Sequence, residues 1–268
     1  MGLLAKLLEK FRKKPIYQDD WQTYLKSIDN HVKAVGVDLN FEKHETLATR
    51  TYIVFLSLKL QQPSTNGLIK KEEETKLWKI EDDLILAFYK NQLNFCFAGQ
   101  ITAKSRRTFY FYTDNIDSME KQISEIMTKY PTYVYELKHK EDASQQVYYD
   151  VLYPPQKQMQ QIKNRKVLNV LNENGDDLSK ERAVSHWIYF GEMKHLEHFE
   201  LFCQNLGFET LVKAKEAADD ENYTYKLVVS RIDKVSFDAV DGYTLQLLEK
   251  AHQLNGIYDG WELSLIHI

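Results

Sequence analysis

The hydrophobic pattern is most regular in the last third of the chain. Apolar residues recur at helical spacing in Glu192–Leu206, which Gly207 ends, and again from Ser236 to Leu254. Extended stretches alternate with these two helices, at Arg182–Phe190, from Phe208 onward, at Tyr223–Arg231 and at Gly256–Glu262. The order βαββαβ predicts a ferredoxin-like domain.

The closing stretch Gly256–Glu262 contains two glycines, two aromatic residues and two carboxylates. We expect Gly256, which follows Asn255, to take the left-handed conformation that ends a helix. We expect Gly260 to allow a kink or a close backbone approach. Burial of Trp261 would contribute about 4–6 kcal/mol before conformational entropy is counted. The stretch is therefore expected to be tied into the sheet as a strand.

The first half of the chain also alternates strand and helix patterns. Helices are predicted at Lys70–Lys90 and Ile116–Lys129. Strands are predicted at Ala34–Asn40, Tyr52–Leu60, Phe95–Ala103, Thr108–Thr113 and Tyr133–Leu137. This alternation favours a sheet that is covered by helices on one face.

We therefore predict an α+β protein with two domains. Residues 1–14 form an amphipathic basic tail and residues 15–154 form the first domain. Residues 155–177 form a helical linker after the Pro154-Pro155 break, and residues 178–268 form the ferredoxin-like domain.

The formal charge of −4 is unevenly distributed along the chain. Residues 175–268 contain 17 acidic and 9 basic residues, a net charge of −8, whereas the tail carries +4 and residues 15–174 are close to neutral. An acidic domain disfavours non-specific nucleic-acid binding, because neutralising phosphates requires an excess of lysine and arginine. The charge favours a protein partner with a basic surface.

The tail has an apolar face opposite its lysines, made of Leu3, Leu4, Leu7, Leu8 and Phe11. One interpretation is weak contact with an anionic membrane surface, worth on the order of 4 kcal/mol from charge. The other, which we favour, is a helix packed on its own domain or on a partner. The tail is too short and charged to span a membrane, and it lacks the features of a secretory signal. The predicted location is cytoplasmic, with the inner membrane face as an addition if the tail binds lipid.

Two cysteines, Cys96 and Cys203, stand far apart in apolar surroundings and are predicted to be reduced, buried thiols. The chain has no Gly-rich phosphate loop, serine nucleophile elbow or paired cysteine ligands, so we predict no cofactor and no metal. His195 and His198 stand three residues apart on a helix, but no third ligand is recognisable. A solvated helix face is the favoured interpretation of this pair.

The strand Arg182–Phe190 alternates between two faces. His186 falls on the apolar face, and we interpret it as a hydrogen-bonded core histidine in preference to a catalytic one. Trp187 and Tyr189 are expected on the open face of the sheet, where Tyr223 and Tyr225 could lie as well. This face is compatible with packing against the other domain or the linker helix, with a protein partner, or with stacking on RNA bases, which the acidic charge disfavours.

Two further groups of charged residues have ordinary interpretations. Asp259 and Glu262 are expected to pair with nearby backbone and with Arg182. The basic turn Lys104–Arg107 has the composition to grip a phosphate, but solvation of a hairpin turn is the favoured interpretation.

Short motifs in each half of the chain resemble known families. Arg182–Phe190, Gly207-Phe208 and Tyr258–Glu262, in this order, resemble the ribonuclease E regulator B family, which implies a domain that inhibits an endoribonuclease by binding it. The first domain resembles the bacterial domain of unknown function 695, which implies no activity. The matching features there are Trp21, Tyr24, the Gly67 turn, Phe111-Tyr112, Tyr149 and Leu152-Tyr153-Pro154.

These observations predict a non-catalytic, protein-binding regulator whose acidic domain docks on a basic surface, such as that of a ribonuclease. The predicted partner contacts are Trp187, Tyr189, Tyr258, Asp259, Trp261 and Glu262. One alternative is an enzyme with a cleft between its domains that uses His186 or the paired histidines. Another is a membrane-tethered scaffold that uses the basic tail.

Overall fold

A computed structural model describes residues 18–28, 31–44, 47–215 and 223–263. The predicted amphipathic tail, with its apolar residues Leu3, Leu4, Leu7, Leu8 and Phe11, lies outside these ranges. The chain divides into two compact units, Met1–Pro154 and Pro155–Ile268. The helix predicted as a linker belongs to the second unit. Within the described ranges, no helix combines the length and the apolar character needed to cross a membrane.

The first unit contains a six-stranded antiparallel sheet of order β1-β2-β4-β5-β3-β6. Its strands are β1 (Trp21–Ile28), β2 (His31–Asp38), β3 (Tyr52–Lys59), β4 (Phe95–Ala103), β5 (Arg106–Thr113) and β6 (Tyr135–Glu141). Helices α1 (Lys71–Lys90) and α2 (Ile116–Met127) pack on one face of the sheet. The predicted arrangement of a sheet with helices on one face is confirmed.

The sequence explains why α1 and α2 form where they do. The buried residues of α1 recur at helical spacing, at Leu77, Ile80, Leu84 and Phe88. Three glutamates in its first turn and Lys90 in its last complement the helix dipole. In α2, the Asn115 side chain caps the first turn by accepting a hydrogen bond of 3.0 Å from the Ser118 backbone N–H.

The opposite face of this sheet also carries buried side chains. The ring of Phe41 lies 4.5 Å from that of Tyr148 and 5.0 Å from that of Tyr112, between ring centroids. Tyr148 begins a π-helical turn, Tyr148–Leu152, and the Tyr112 hydroxyl donates to Asp142 Oδ2 at 2.6 Å. Aromatic packing and buried hydrogen bonds therefore cover part of the face that α1 and α2 leave free.

Strand β1 was not predicted, because it is an edge strand without a continuous apolar run. Its residue Leu25 is 61% exposed and Trp21 is 40% exposed, whereas Tyr24 is buried. The other edge strand, β6, is polar and largely exposed, and it extends to Glu141 instead of ending at the predicted Leu137. Edge strands need less burial than central ones, so their sequences carry a weaker signal.

The second unit contains a four-stranded antiparallel sheet of order β10-β7-β9-β8. Its strands are β7 (Glu181–Phe190), β8 (Glu209–Lys215), β9 (Tyr225–Lys234) and β10 (Gly256–Leu263). Its helices are α3 (Gln156–Glu173), α4 (Met193–Asn205) and α5 (Phe237–Gln253). After α3, the element order βαββαβ and the strand order are consistent with the predicted ferredoxin-like arrangement.

All three helices of the second unit pack against the same face of its sheet. Residues of α4 and α5 form one core cluster with Ile188, Phe190 and Leu227. Leu168 of α3 packs with Val184 in a second cluster. The opposite face, which we call the open face, bears Ser185, Trp187 and Tyr189 of β7 and their cross-strand neighbours; among the described residues, it carries no helix of this unit.

The junction between α5 and β10 differs from the prediction in one detail. The left-handed residue is Asn255, with φ of 53°, and not Gly256. Asparagine tolerates this conformation because its short amide bonds locally. Gly256 is instead required by space, since a Cβ there would lie 2.3 Å from the ring of Phe190. Gly207 does take the left-handed conformation, with φ of 82°, after α4.

Candidate functional site

Four side chains form a row across the open face, one from each strand. Pairing of β10 with β7 places Glu262 opposite Ser185. Ser185 lies opposite Ser230 of β9, and Ser230 lies opposite Glu209 of β8. The two serines are buried and the two glutamates are exposed. We call these four residues the serine row.

Aromatic side chains lie next to the serine row. Trp187 is half-buried and occupies the neighbouring cross-strand row, between Gly260 and Val228. Because Gly260 has no side chain, β10 places nothing beside the indole in this row. Tyr189 is also half-buried and lies one row further, opposite Ile257. The open face thus presents two aromatic rings, as predicted for these two residues.

Apolar side chains also border the serine row, Ile232 on the side away from Trp187 and Leu211, the bulge residue of β8, on the side of the Trp187 row. Ile232 is 62% exposed and Leu211 is 55% exposed. Together with Ala183, Ser185, Ser230 and Glu209, they line a groove of about 480 Å³. Arg231 also borders this groove, but both of its guanidinium ends are engaged. It donates to the Asp233 carboxylate at 2.8 and 3.0 Å and to the Leu206 carbonyl at 2.7 Å.

A β-bulge in β10 separates the predicted partner contacts into two groups. The pairing of β10 with β7 shifts between Tyr258 and Gly260, so Asp259 is an extra residue on the sheet edge. Tyr258 therefore pairs with Ile188 and Trp261 with His186, both on the helix-covered face. Tyr258 is only 5% exposed. Of the six predicted contacts, Trp187, Tyr189 and Glu262 lie on the open face, and Asp259 is exposed at its edge.

Tyr225, which the sequence allowed on the open face, lies on the opposite face of the sheet. Tyr225 pairs with Phe190, whose ring lies in the core, so it faces the helices. Tyr223 precedes the first residue of β9. The alternation along a strand fixes each side chain to one face once the register is set, and the sequence alone did not set the register of β9.

His186 lies at the centre of an aromatic pocket under α5. Its ring is within 5.4–5.9 Å of the rings of Tyr243, Phe208 and Tyr258. Nδ1 is 2.8 Å from the Tyr258 hydroxyl oxygen, and Nε2 is buried without a hydrogen-bond partner in the described structure. Burial, assisted by the nearby Arg231 charge, lowers the pKa of His186 to about 3. The imidazole is neutral at physiological pH, in agreement with the core-histidine interpretation.

Asn164 of α3 is a buried hydrogen-bonding centre that sequence reasoning missed. Its Oδ1 accepts from the Trp261 indole N–H at 2.9 Å and from the Gln160 amide at 2.8 Å. Its Nδ2 donates to Asp241 Oδ1 and to Thr244 Oγ1, both at 2.8 Å. All four hydrogen-bonding positions of the amide are used. Asn164 therefore connects α3 to α5 and β10 and fixes the orientation of Trp261. Gln160, Asn164 and Leu168 recur at helical spacing, which is a signal for one buried helix face. The sequence interpretation assigns this stretch to a linker instead.

The remaining candidate groups lie apart from the open face. Arg182 donates to the Asp176 carboxylate, at 2.8 Å for one of its two contacts, so the expected pairing with Asp259 and Glu262 is wrong. Arg107, expected in a solvated turn, is buried, and its Nε donates to Thr102 Oγ1 at 2.8 Å. His195 lies on α4, and among the described residues no group of three His, Cys, Asp or Glu side chains could hold a metal ion.

The two cysteines are the remaining candidates for nucleophilic chemistry. Cys96 and Cys203 are both free and buried, as predicted. Burial raises the pKa of each thiol to about 12, although Arg50 beside Cys96 and Arg231 near Cys203 act in the opposite direction. Neither cysteine is therefore present as a reactive thiolate at neutral pH.

Comparison with known families confirms both resemblances drawn from the sequence. The chain matches no curated protein. Residues 161–263, which include most of α3 and the whole sheet of the second unit, match the family described as Regulator of ribonuclease activity B. Residues 19–153, just over half of the 268 residues, match the model of the Family of unknown function (DUF695), and the chain therefore belongs to that family.

Proposed function

We propose that this protein is a non-catalytic regulator that binds an RNA-degrading enzyme through its second unit. The observation that carries the proposal is the match of residues 161–263 to a family of regulators of ribonuclease activity. The neutral, buried His186 and the protonated, buried thiols support a binding role, because none of them is poised for acid–base or nucleophilic chemistry at neutral pH.

The open face is the surface that best suits docking. Aromatic residues such as Trp187 and Tyr189 are enriched in protein interfaces, where each contributes a large contact area at low entropic cost. Ile232, Leu211 and Ile257, exposed by 62%, 55% and 40%, add apolar surface around them. Burial of these side chains by a partner would release the water that they order.

The net charge of −8 on residues 175–268 favours a partner surface of positive charge. A ribonuclease must present lysine and arginine to the phosphates of its RNA substrate. An acidic unit that docks on such a surface would compete with RNA for it. Complementary charge mainly accelerates and orients the encounter, so this interaction weakens as salt rises.

The direct test uses the purified full-length chain and ribonuclease E from the same organism. Titration calorimetry at low and high salt is expected to show binding that weakens with salt, and addition of the chain is expected to slow cleavage of an RNA substrate. Trp187→Ala should lower the affinity roughly tenfold or more, as loss of a central aromatic contact does. Trp78→Ala is the matched control, because Trp78 is 52% exposed on α1 of the other unit.

Two results would overturn the proposal. One is a wild-type chain that neither binds the nuclease nor slows RNA cleavage at low salt. The other is slower cleavage that arises because the chain binds the RNA substrate itself, detected by adding labelled RNA to the chain without nuclease.

A further inference from the structure

We infer that the serine row and its groove form a receptor for one lysine or arginine side chain of the partner. This inference rests on the proposed docking function and names the chemistry of its central contact. It follows from the hydrogen-bond directions in the row, from the charges at its two ends and from the apolar border of the groove.

The two serines offer only acceptors to a partner. Each hydroxyl has one hydrogen to donate and two lone pairs. The Ser230 hydroxyl donates to the Val184 carbonyl oxygen at 3.2 Å, so its single hydrogen is used within the strand pair. The Ser185 hydroxyl donates to Ser230 Oγ at 3.3 Å, so its hydrogen is used as well. Towards a partner on the open face, Ser185 Oγ can therefore only accept a hydrogen bond, through a lone pair.

Both ends of the row are carboxylates, which also only accept hydrogen bonds when ionised. Glu262 and Glu209 are exposed on the two edge strands, three strand spacings or about 14 Å apart between their Cα atoms. A row of acceptors that ends in two negative charges selects a cationic donor. Phosphate or carboxylate groups would meet acceptors along the row and like charge at its two ends, so an RNA backbone is disfavoured here.

The groove beside the row suits the aliphatic part of a long cationic side chain. Lysine and arginine carry three or four methylene groups that prefer apolar contact while the charged end stays hydrogen-bonded. Leu211 and Ile232 provide that contact, exposed by 55% and 62%, and the groove volume of about 480 Å³ exceeds the needs of a water molecule. Trp187 lies in the adjacent cross-strand row, within reach of a cation held by Ser185.

Charge complementarity identifies the source of this side chain. The unit carries −8, and the one basic group that borders the groove among the described residues, Arg231, is bound to Asp233 and to a backbone carbonyl. The groove thus has no available cation of its own to neutralise the row. A basic protein surface, such as the RNA-contacting surface of a nuclease, presents the complementary side chains.

The test uses full-length protein with methyl-labelled Ile and Leu and two short peptides followed by NMR. One is acetyl-Gly-Arg-Gly-amide, and the other carries citrulline, which keeps the shape of arginine but has no charge. Saturable shifts at the Leu211 and Ile232 methyl groups are expected with the arginine peptide and much weaker ones with the citrulline peptide. Equal shifts with both peptides, or none at either methyl group, would overturn the inference.

Variants of the row provide the second arm. Glu209→Gln should weaken the arginine peptide roughly twofold to fivefold, the range of an exposed ion pair. Glu249→Gln, an exposed carboxylate on α5, changes the net charge equally and should leave the affinity unchanged. Ser185→Val removes the central acceptor and narrows the groove, so it should abolish the shifts while the circular dichroism spectrum stays that of the wild type. Unchanged peptide binding in both row variants would overturn the inference.

The nuclease separates this inference from the function on which it rests. If ribonuclease E binds the wild type and the Ser185→Val variant equally well, the docking function stands and the receptor role of the row fails. If ribonuclease E binds neither protein, the docking function itself fails, whatever the peptides show.

Discussion

The two sheets of this protein differ in how many of their faces are covered. The six-stranded sheet buries side chains on both faces, with α1 and α2 on one side and the Phe41, Tyr112 and Tyr148 cluster on part of the other. The four-stranded sheet has all three of its helices on one face. A covered face serves stability, whereas exposed apolar and aromatic groups are available for contact. The difference supports the proposal that the interaction surface lies in the second unit.

The largest expected effects come from core truncations, which test the comparison directly. Ile53 and Leu56 of β3 are both fully buried on opposite faces of the first sheet, so Ile53→Ala and Leu56→Ala should each lower the free energy of unfolding by about 3–5 kcal/mol. In the second sheet, Leu227→Ala should have a similar cost. Ile232→Ala, on the same strand but on the open face, should cost less than about 0.5 kcal/mol.

Urea unfolding of these four variants supplies the measurement. Equal losses for Leu227→Ala and Ile232→Ala would mean that the open face is buried in the folded protein. The two sheets would then not differ in the number of covered faces, and the open face would not be available for docking.

A somewhat smaller effect is expected at the buried amide of α3. Asn164→Leu keeps the size of the side chain but leaves Asp241, Thr244 and the Trp261 indole without their partner. The loss in the free energy of unfolding should be about 2–4 kcal/mol. Asn172→Leu, at an exposed position of the same helix, is the control and should change stability by less than about 0.5 kcal/mol. Equal stabilities of the two variants in urea would show that α3 is not part of the second unit's core.

His186 makes the stability of the second unit depend on pH. Its pKa is lowered to about 3 by burial, so the unfolded chain binds the proton more readily than the folded one. Stability from the neutral imidazole is present above pH ~6.5 and is lost as the pH falls from there towards 3, by up to about 1.4 kcal/mol per pH unit. The free energy of unfolding of the second unit can be obtained from amide hydrogen exchange at several pH values. His186→Gln should flatten its dependence on pH. His252→Gln, exposed on α5, should retain it, and a wild-type slope in His186→Gln would contradict the assignment.

The smallest expected effect is a pH dependence of stability in the first unit, opposite in sign to that of the second unit. Burial raises the pKa of Glu81 on α1 to about 7, with Arg107 opposing and Asp82 reinforcing the shift. The folded first unit therefore binds a proton more readily than the unfolded chain, and the stability gained below pH ~4.5 is lost as the pH rises from there to about 7. Glu81→Gln should remove this opposite slope, by at most about 1 kcal/mol per pH unit, from hydrogen exchange in the first unit. Glu72→Gln, exposed on the same helix, should leave it intact.

Features with a periodic apolar pattern could be predicted from the sequence. Strand β4 has the predicted bounds, Phe95–Ala103, because every position but two is buried. Tertiary details without such a pattern could not be predicted. The bulge at Asp259 inserts one residue, the network of Asn164 depends on where α3 packs, and the burial of Arg107 depends on its register with Thr102. For the same reason, the side chain of Trp187 was predicted on the correct face of the sheet, whereas the face of Tyr225 could not be predicted.

The extra residue in β10 keeps a second tryptophan off the open face. Trp261 follows Tyr258 by three positions, so strict alternation along the strand would turn its indole to the face opposite that of Tyr258, beside the row of Trp187. The bulge at Asp259 absorbs one residue and returns the indole to the interior, where it bonds to Asn164. A deletion of Asp259 is therefore expected to preserve this attachment of α3, because Gly260 would still pair with Trp187 and Trp261 with His186. A strand of the present length without the bulge would lose the attachment and present two indoles on one surface.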